Sequence, residues 1–100
     1  MVAAEIDLLK RLQNWYHSQR DGEWEHQYGV SIGTLDNPGW SFKVDLADTG
    51  LIDRPFDERR VERSDEDWYV CRRTNVVFEG FCGPAGLGDV IAVFLNWAKS

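Results

Sequence analysis

Apolar and polar residues alternate along this chain with two different periods. From Ala3 to Arg20, Ile6, Leu9, Leu12 and Tyr16 recur every three or four residues, flanked by Leu8 and Trp15. That spacing predicts a helix with one apolar stripe. Asp21-Gly22 is expected to stop it, glycine being usual just past a helix end. From Tyr28 to Leu46 the period drops to two. Tyr28, Val30 and Ile32 alternate with Gly29, Ser31 and Gly33, and Trp40, Phe42, Val44 and Leu46 alternate with Ser41, Lys43 and Asp45. Two strands joined through Asp36-Asn37-Pro38-Gly39 follow, because proline fixes φ while asparagine and glycine accept turn conformations. Cross-strand partners share a face, so Ile32 is placed opposite Val44 and Val30 opposite Leu46.

Ala47 to Phe56 reads as a polar loop, and Glu58 to Arg63 as a charged edge strand of the kind that resists sheet-to-sheet aggregation. Ser64 to Asp67 turns the chain into a second hairpin, Trp68 to Arg73 and Val76 to Cys82, around Thr74-Asn75. In that register Cys71 faces Phe78. Tyr69, Cys71, Val76, Phe78 and Cys82 then share one face, and Trp68, Val70, Val77 and Phe81 the other. With large apolar groups on both, either the sheet is buried on two sides or one aromatic patch stays exposed for docking. Gly83-Pro84-Ala85-Gly86 breaks the sheet. Leu87, Val90, Ile91, Phe94, Leu95 and Trp97 then predict a closing helix with a wide apolar face. The expected architecture is α+β: an N-terminal helix, an antiparallel meander of four to five strands and a C-terminal helix, with both helices on one face.

Composition supports a packed core. The chain has 100 residues, 43% of them hydrophobic, with five tryptophans. That length suits one domain spanning 1–100 and burying roughly 60–68% of its unfolded surface. The net charge of −6 comes from 17 acidic and 11 basic side chains. Phosphate backbones and anionic lipid repel such a chain, which favours a basic protein partner over nucleic acid or membrane. No signal segment is visible near Met1, no apolar run approaches the roughly 20 residues that cross a bilayer, and the two cysteines do not form a CxxC pair. The cytoplasm is the expected compartment. A monomer is expected when unbound, since no heptad pattern demands association.

Candidate chemistry is thin. In the register above, Cys82 lies four residues beyond the position opposite Cys71, roughly 13 Å away, too far for a disulfide. Arg72 and Arg73 beside Cys71 favour a thiolate, which leaves a small thiol-dependent transferase using Cys71 or Cys82 as one alternative. His17, His26, Asp21 and Glu25 lack the spacing of a metal site, so neither metal nor cofactor is expected. No GxSxG or HExxH motif is present, and Gly80, Gly83, Gly86 and Gly88 lack the lysine and spacing of a phosphate loop. No catalytic residue is assigned. The carboxylates, by contrast, cluster in turns: Asp21, Glu23 and Glu25 after the first helix, and Asp65-Glu66-Asp67 before the second hairpin. Each cluster is either a solvated face or an electrostatic recognition surface. Trp24, between Glu23 and Glu25, either anchors a partner or folds back as core. A third alternative is an adaptor that uses a pocket lined by Trp68, Val70 and Phe81.

Several local strings resemble one family. Leu12-Gln13-Asn14-Trp15-Tyr16 and Asp21-Gly22-Glu23-Trp24-Glu25-His26-Gln27-Tyr28-Gly29 are similar to the opening of the immunity protein 53 family. Thr34-Leu35-Asp36-Asn37-Pro38-Gly39-Trp40, Ser64-Asp65-Glu66-Asp67-Trp68 and Phe94-Leu95-Asn96-Trp97 resemble its later motifs. The resemblance runs from about Leu8 to Ala98. It implies a non-enzymatic inhibitor from a bacterial polymorphic toxin system, made to bind a cognate toxin domain in the cytoplasm. The family offers no catalytic residues to transfer. Asp21, Glu23, Trp24, Glu25, Asp65, Glu66 and Asp67 are the expected partner-binding residues.

Overall fold

The computed structural model describes residues 2–19, 24 and 28–99, with side chains from residue 7 onward. The first helix, α1, spans Val2–Gln19. Five strands follow: β1 Val30–Leu35, β2 Gly39–Asp45, β3 Arg59–Glu62, β4 Trp68–Arg73 and β5 Val77–Cys82. A closing helix, α2, spans Leu87–Ala98. Every strand pair is antiparallel, and the sheet order is β1-β2-β5-β4-β3. The expected meander therefore holds within each hairpin group, but the groups join through β2 and β5. β3 is carried out to the far edge.

Both hairpin registers differ from expectation by two residues. Val30 faces Val44 and Ile32 faces Phe42, leaving a three-residue loop, Asp36-Asn37-Pro38, with a cis Asn37-Pro38 bond. In the second hairpin Cys71 faces Gly80 and Arg73 faces Phe78. A two-residue slip keeps every side chain on its face, because the strand period is two. The assignment of faces survives where the pairing does not.

One face of the sheet carries both helices. α2 packs on β2, β4 and β5, and α1 packs on α2. Phe42, Val44, Leu46, Cys71, Phe78 and Cys82 meet Val90, Ile91 and Phe94 in the core. Ring centroids lie 5.7 Å apart for Phe42 and Phe94 and 5.1 Å for Phe78 and Phe94, both edge-on, the favoured aromatic geometry. Trp97 stacks on Phe78 at 5.8 Å and 23°. Gly80 lets α2 come this close, since a Cβ there would collide with Val90.

The apolar stripe of α1 is rotated from its expected position. Leu12 is buried, with Leu8 and Trp15 packed beside it at i−4 and i+3. Leu9 and Tyr16 lie at the margins, 52% and 37% exposed. The Ile6 side chain lies outside the described residues. The segment after β2 is also less polar in effect than in composition. Thr49 and Leu51 are buried and Phe56 packs on the core, 5.2 Å from Phe78. The Thr49 hydroxyl donates to the Leu46 carbonyl at 2.7 Å and accepts from the Leu51 amide at 3.1 Å. No described helix is long and apolar enough to cross a membrane.

Candidate functional site

The turn between β3 and β4 is built by its own polar groups. The amides of Arg63 and Ser64 donate to the Asp67 carbonyl at 2.8 and 3.2 Å, and the Asp67 amide donates to the Ser64 hydroxyl at 3.1 Å. This leaves Asp65 and Glu66 exposed at the tip. Asp67 is different: Arg63 holds its carboxylate at 2.8 Å and also lies 3.8 Å from Asp89 on α2. Among the described residues, Asp65 and Glu66 form no ion pair, so they carry the outward charge of this cluster. Gly83 fits directly against the Glu66 carbonyl, where a Cβ would clash, and its amide donates to Trp68 O at 3.0 Å. These contacts fix the turn to the end of β5.

Trp24 takes the second of its two readings. It is only 1% exposed, its ring 5.9 Å from Trp15 in edge-on contact and 5.7 Å from Tyr16 in tilted contact. A side chain so enclosed is core, and in this conformation it is not a surface anchor. Its flanking candidates Asp21, Glu23 and Glu25 lie outside the described residues, as does His26. The Trp24 carbonyl accepts from the Tyr28 amide at 2.7 Å, which places Trp24 where β1 begins. The Asp65–Asp67 turn sits where β4 begins and β5 ends, at the opposite end of the sheet. A six-residue strand separates these ends by about 20 Å.

The thiols are sealed. Cys71 and Cys82 are both free and buried on the helix-covered face, two residues apart in register, not four. Burial pushes the Cys71 thiol up to about 12, against the lowering influence of Arg59. Burial likewise raises Cys82, whose sulfur lies 3.8 Å from Trp40 O. Protonated, enclosed thiols are poor nucleophiles, which removes the physical basis for a thiol transferase at either position. Among the described residues no group of three or more His, Cys, Asp or Glu side chains could hold a metal.

No described helix covers the second sheet face, yet its aromatics do not form the expected pocket. Val70 is 8% exposed, and Trp68 and Phe81 are half-buried. Lys43 and Arg72 reach over the Phe81 ring at 5.8 and 5.4 Å, and Arg72 is tied to Glu79 at 3.0 Å. Long cationic stems lying on an aromatic ring shield apolar area while keeping their charges in water. This weighs against an adaptor pocket at Trp68, Val70 and Phe81.

The fold and these sites together define an acidic α+β domain whose thiols are closed off and which presents Asp65 and Glu66 at an exposed turn. The chain belongs to the immunity protein 53 family, whose family model matches residues 9–99, nearly its whole length. No curated protein and no solved structure matches it. Immunity proteins neutralise toxins, and such families are generally non-enzymatic.

Proposed function

We propose that this chain neutralises a basic cognate toxin domain, such as a nuclease, in the cytoplasm by covering its functional surface. The family match over residues 9–99 carries this reading. The net charge of −6 supports a basic partner, since opposite fields raise association rates to about 10⁸–10⁹ M⁻¹s⁻¹ at low salt. Asp65 and Glu66 form one acidic contact, with Asp67 held behind them by Arg63. Asp21, Glu23 and Glu25, which flank the buried Trp24 in sequence, form a second. The unbound chain is monomeric, and inhibition proceeds by occlusion with no turnover.

The test is co-expression with the toxin domain encoded beside this chain's own gene. Rescue of growth together with a co-purifying complex is the expected result. A folded chain that neither rescues nor captures that domain would refute the reading.

A further inference from the structure

The two edges of the sheet are built differently. β3 carries Arg59, Arg60 and Glu62, and Glu58, Arg60 and Glu62 form exposed ion pairs along it at 3.8 and 3.5 Å. Such charge discourages another strand from pairing. β1, with the sequence VSIGTL, has no charged residue and no proline.

Its hydrogen-bonding phase follows from one contact. The Asp45 amide donates to Gly29 O at 3.0 Å and the Gly29 amide donates to the Asp45 carboxylate at 2.9 Å, so the main-chain groups of Gly29 point toward β2. Pairs alternate along an antiparallel ladder. In the observed register Ser31 and Gly33 also direct their main-chain groups to β2, and Val30, Ile32 and Thr34 direct theirs outward. Three N–H and three C=O groups therefore line the outer edge of β1, where no described strand pairs.

A second feature lies beside that edge. The side chains of Val30 and Ile32 share the helix-covered face with Phe42 and Val44. Ile32 is nevertheless 44% exposed. At the Val30 end of the strand Leu12, Gln13 and Tyr16 of α1, with Tyr28, Gly29 and Val30, line an open hollow of about 390 Å³. A strand added to β1 would turn every second side chain to the helix-covered side, and those beside Val30 would meet this hollow.

We infer that the outer edge of β1, with the hollow beneath α1, receives an extended segment of the basic toxin whose helix-facing side chains are apolar. This rests on the proposed neutralisation role and names the contact through which it operates. Main-chain bonds supply the affinity in such pairing, and the alternating side-chain sites supply the selectivity. Charge separates the toxin from a second copy of this chain: two copies at −6 each repel, whereas a basic partner is attracted.

The variant Ile32→Pro tests the edge directly. It removes an outward N–H and leaves the ladder to β2 intact, an arrangement in which proline suits an edge strand. Ile32→Lys is a second, milder variant that places a cation on the helix-covered side of the edge strand. Circular dichroism first confirms that each is folded. Binding of the toxin domain encoded beside the gene is then measured for each variant and the parent. Affinity is expected to fall on the order of 100-fold for Ile32→Pro, and hydrogen exchange at Val30, Ile32 and Thr34 is expected to slow in the parent complex. Parent-like affinity in both folded variants overturns the edge assignment and leaves the neutralisation role standing. A parent chain that captures no toxin overturns both. A toxin-free dimer of the parent that Ile32→Pro converts to monomer assigns the edge to a second copy and overturns the stated occupant.

Discussion

Arg73, at the end of β4, donates from Nη2 to the main-chain oxygen of Ile52 at 2.8 Å, across 21 residues of sequence. The same guanidinium donates to the carbonyls of Leu51 at 3.1 Å and Asn75 at 2.9 Å, and also to those of Arg54 and Thr74. Arg54 in turn donates to Trp97 O at 2.8 Å and Ala98 O at 3.2 Å, at the end of α2. A five-donor fork suits this convergence of carbonyls, and lysine cannot reproduce it.

Removing that fork strands several half-buried carbonyls at once. Arg73→Met is expected to lower stability by about 2–4 kcal/mol in urea unfolding, with Arg73→Lys only partly restoring it. Loss of hydrogen-exchange protection would concentrate in residues 49–56. A change below about 0.5 kcal/mol would show that water replaces the guanidinium.

Gly80 and Val90 are coupled by contact. Gly80→Ala is expected to destabilise the fold by about 1–3 kcal/mol, as overpacking does. Val90→Ala opens space at the point of collision. The double variant should therefore be more stable than the sum of the two single effects, by about 0.5–3 kcal/mol in a mutant cycle.

The Cys71 thiol predicts a loss of stability in alkali. Its ordinary value is 9.0 and burial raises it to about 12. Between those values the unfolded chain loses its proton while the folded chain keeps it, so stability falls as pH rises. The contribution is fully present below pH 9.0 and diminishes toward about 12, by at most about 1.4 kcal/mol per pH unit. In Cys71→Ala this part of the slope should vanish. Both thiols should also resist a thiol-reactive dye until the protein is denatured.

Trp24 predicts a structural phenotype. Trp24→Ala is expected to cost about 3–5 kcal/mol and to shift the emission of Trp15, its ring neighbour at 5.9 Å. Asp65→Lys and Glu66→Lys, fully outward, should change stability by less than about 0.5 kcal/mol. In stopped-flow mixing with the toxin domain they should slow association at low salt and leave dissociation nearly unchanged.

How far these features could be read from sequence depended on what each one rests upon. The alternation through Trp40, Phe42, Val44 and Leu46 identifies the inward face, yet an alternating pattern is unchanged by a slip of two, so neither register was determined. In α1, Leu8, Leu9, Leu12, Trp15 and Tyr16 span more of the helix than one contact can cover. Packing on Phe94, 4.9 Å from Trp15, selects the side that turns inward. Asp65-Glu66-Asp67 was legible as an acidic turn. That Arg63 holds Asp67, and that Trp24 lies at the other end of the sheet, required the strand order. Arg73 left no sequence signal, because its partners are main-chain oxygens, which carry no residue identity.

The seam between β2 and β5 has a consequence for the integrity of the chain. Residues 28–46 and 59–82 each form hairpins through near neighbours, and the seam joins them across separations such as the 38 positions between Phe42 and Gly80. The connection at Asp53 is exposed, and Arg73 grips the backbone on both sides of it, at Ile52 and at Arg54. A protease that cuts beside Asp53 would therefore yield two fragments that remain clasped as one body. Expressed separately, those halves should find each other and rebuild the sheet, so that the domain can be reconstituted from two genes.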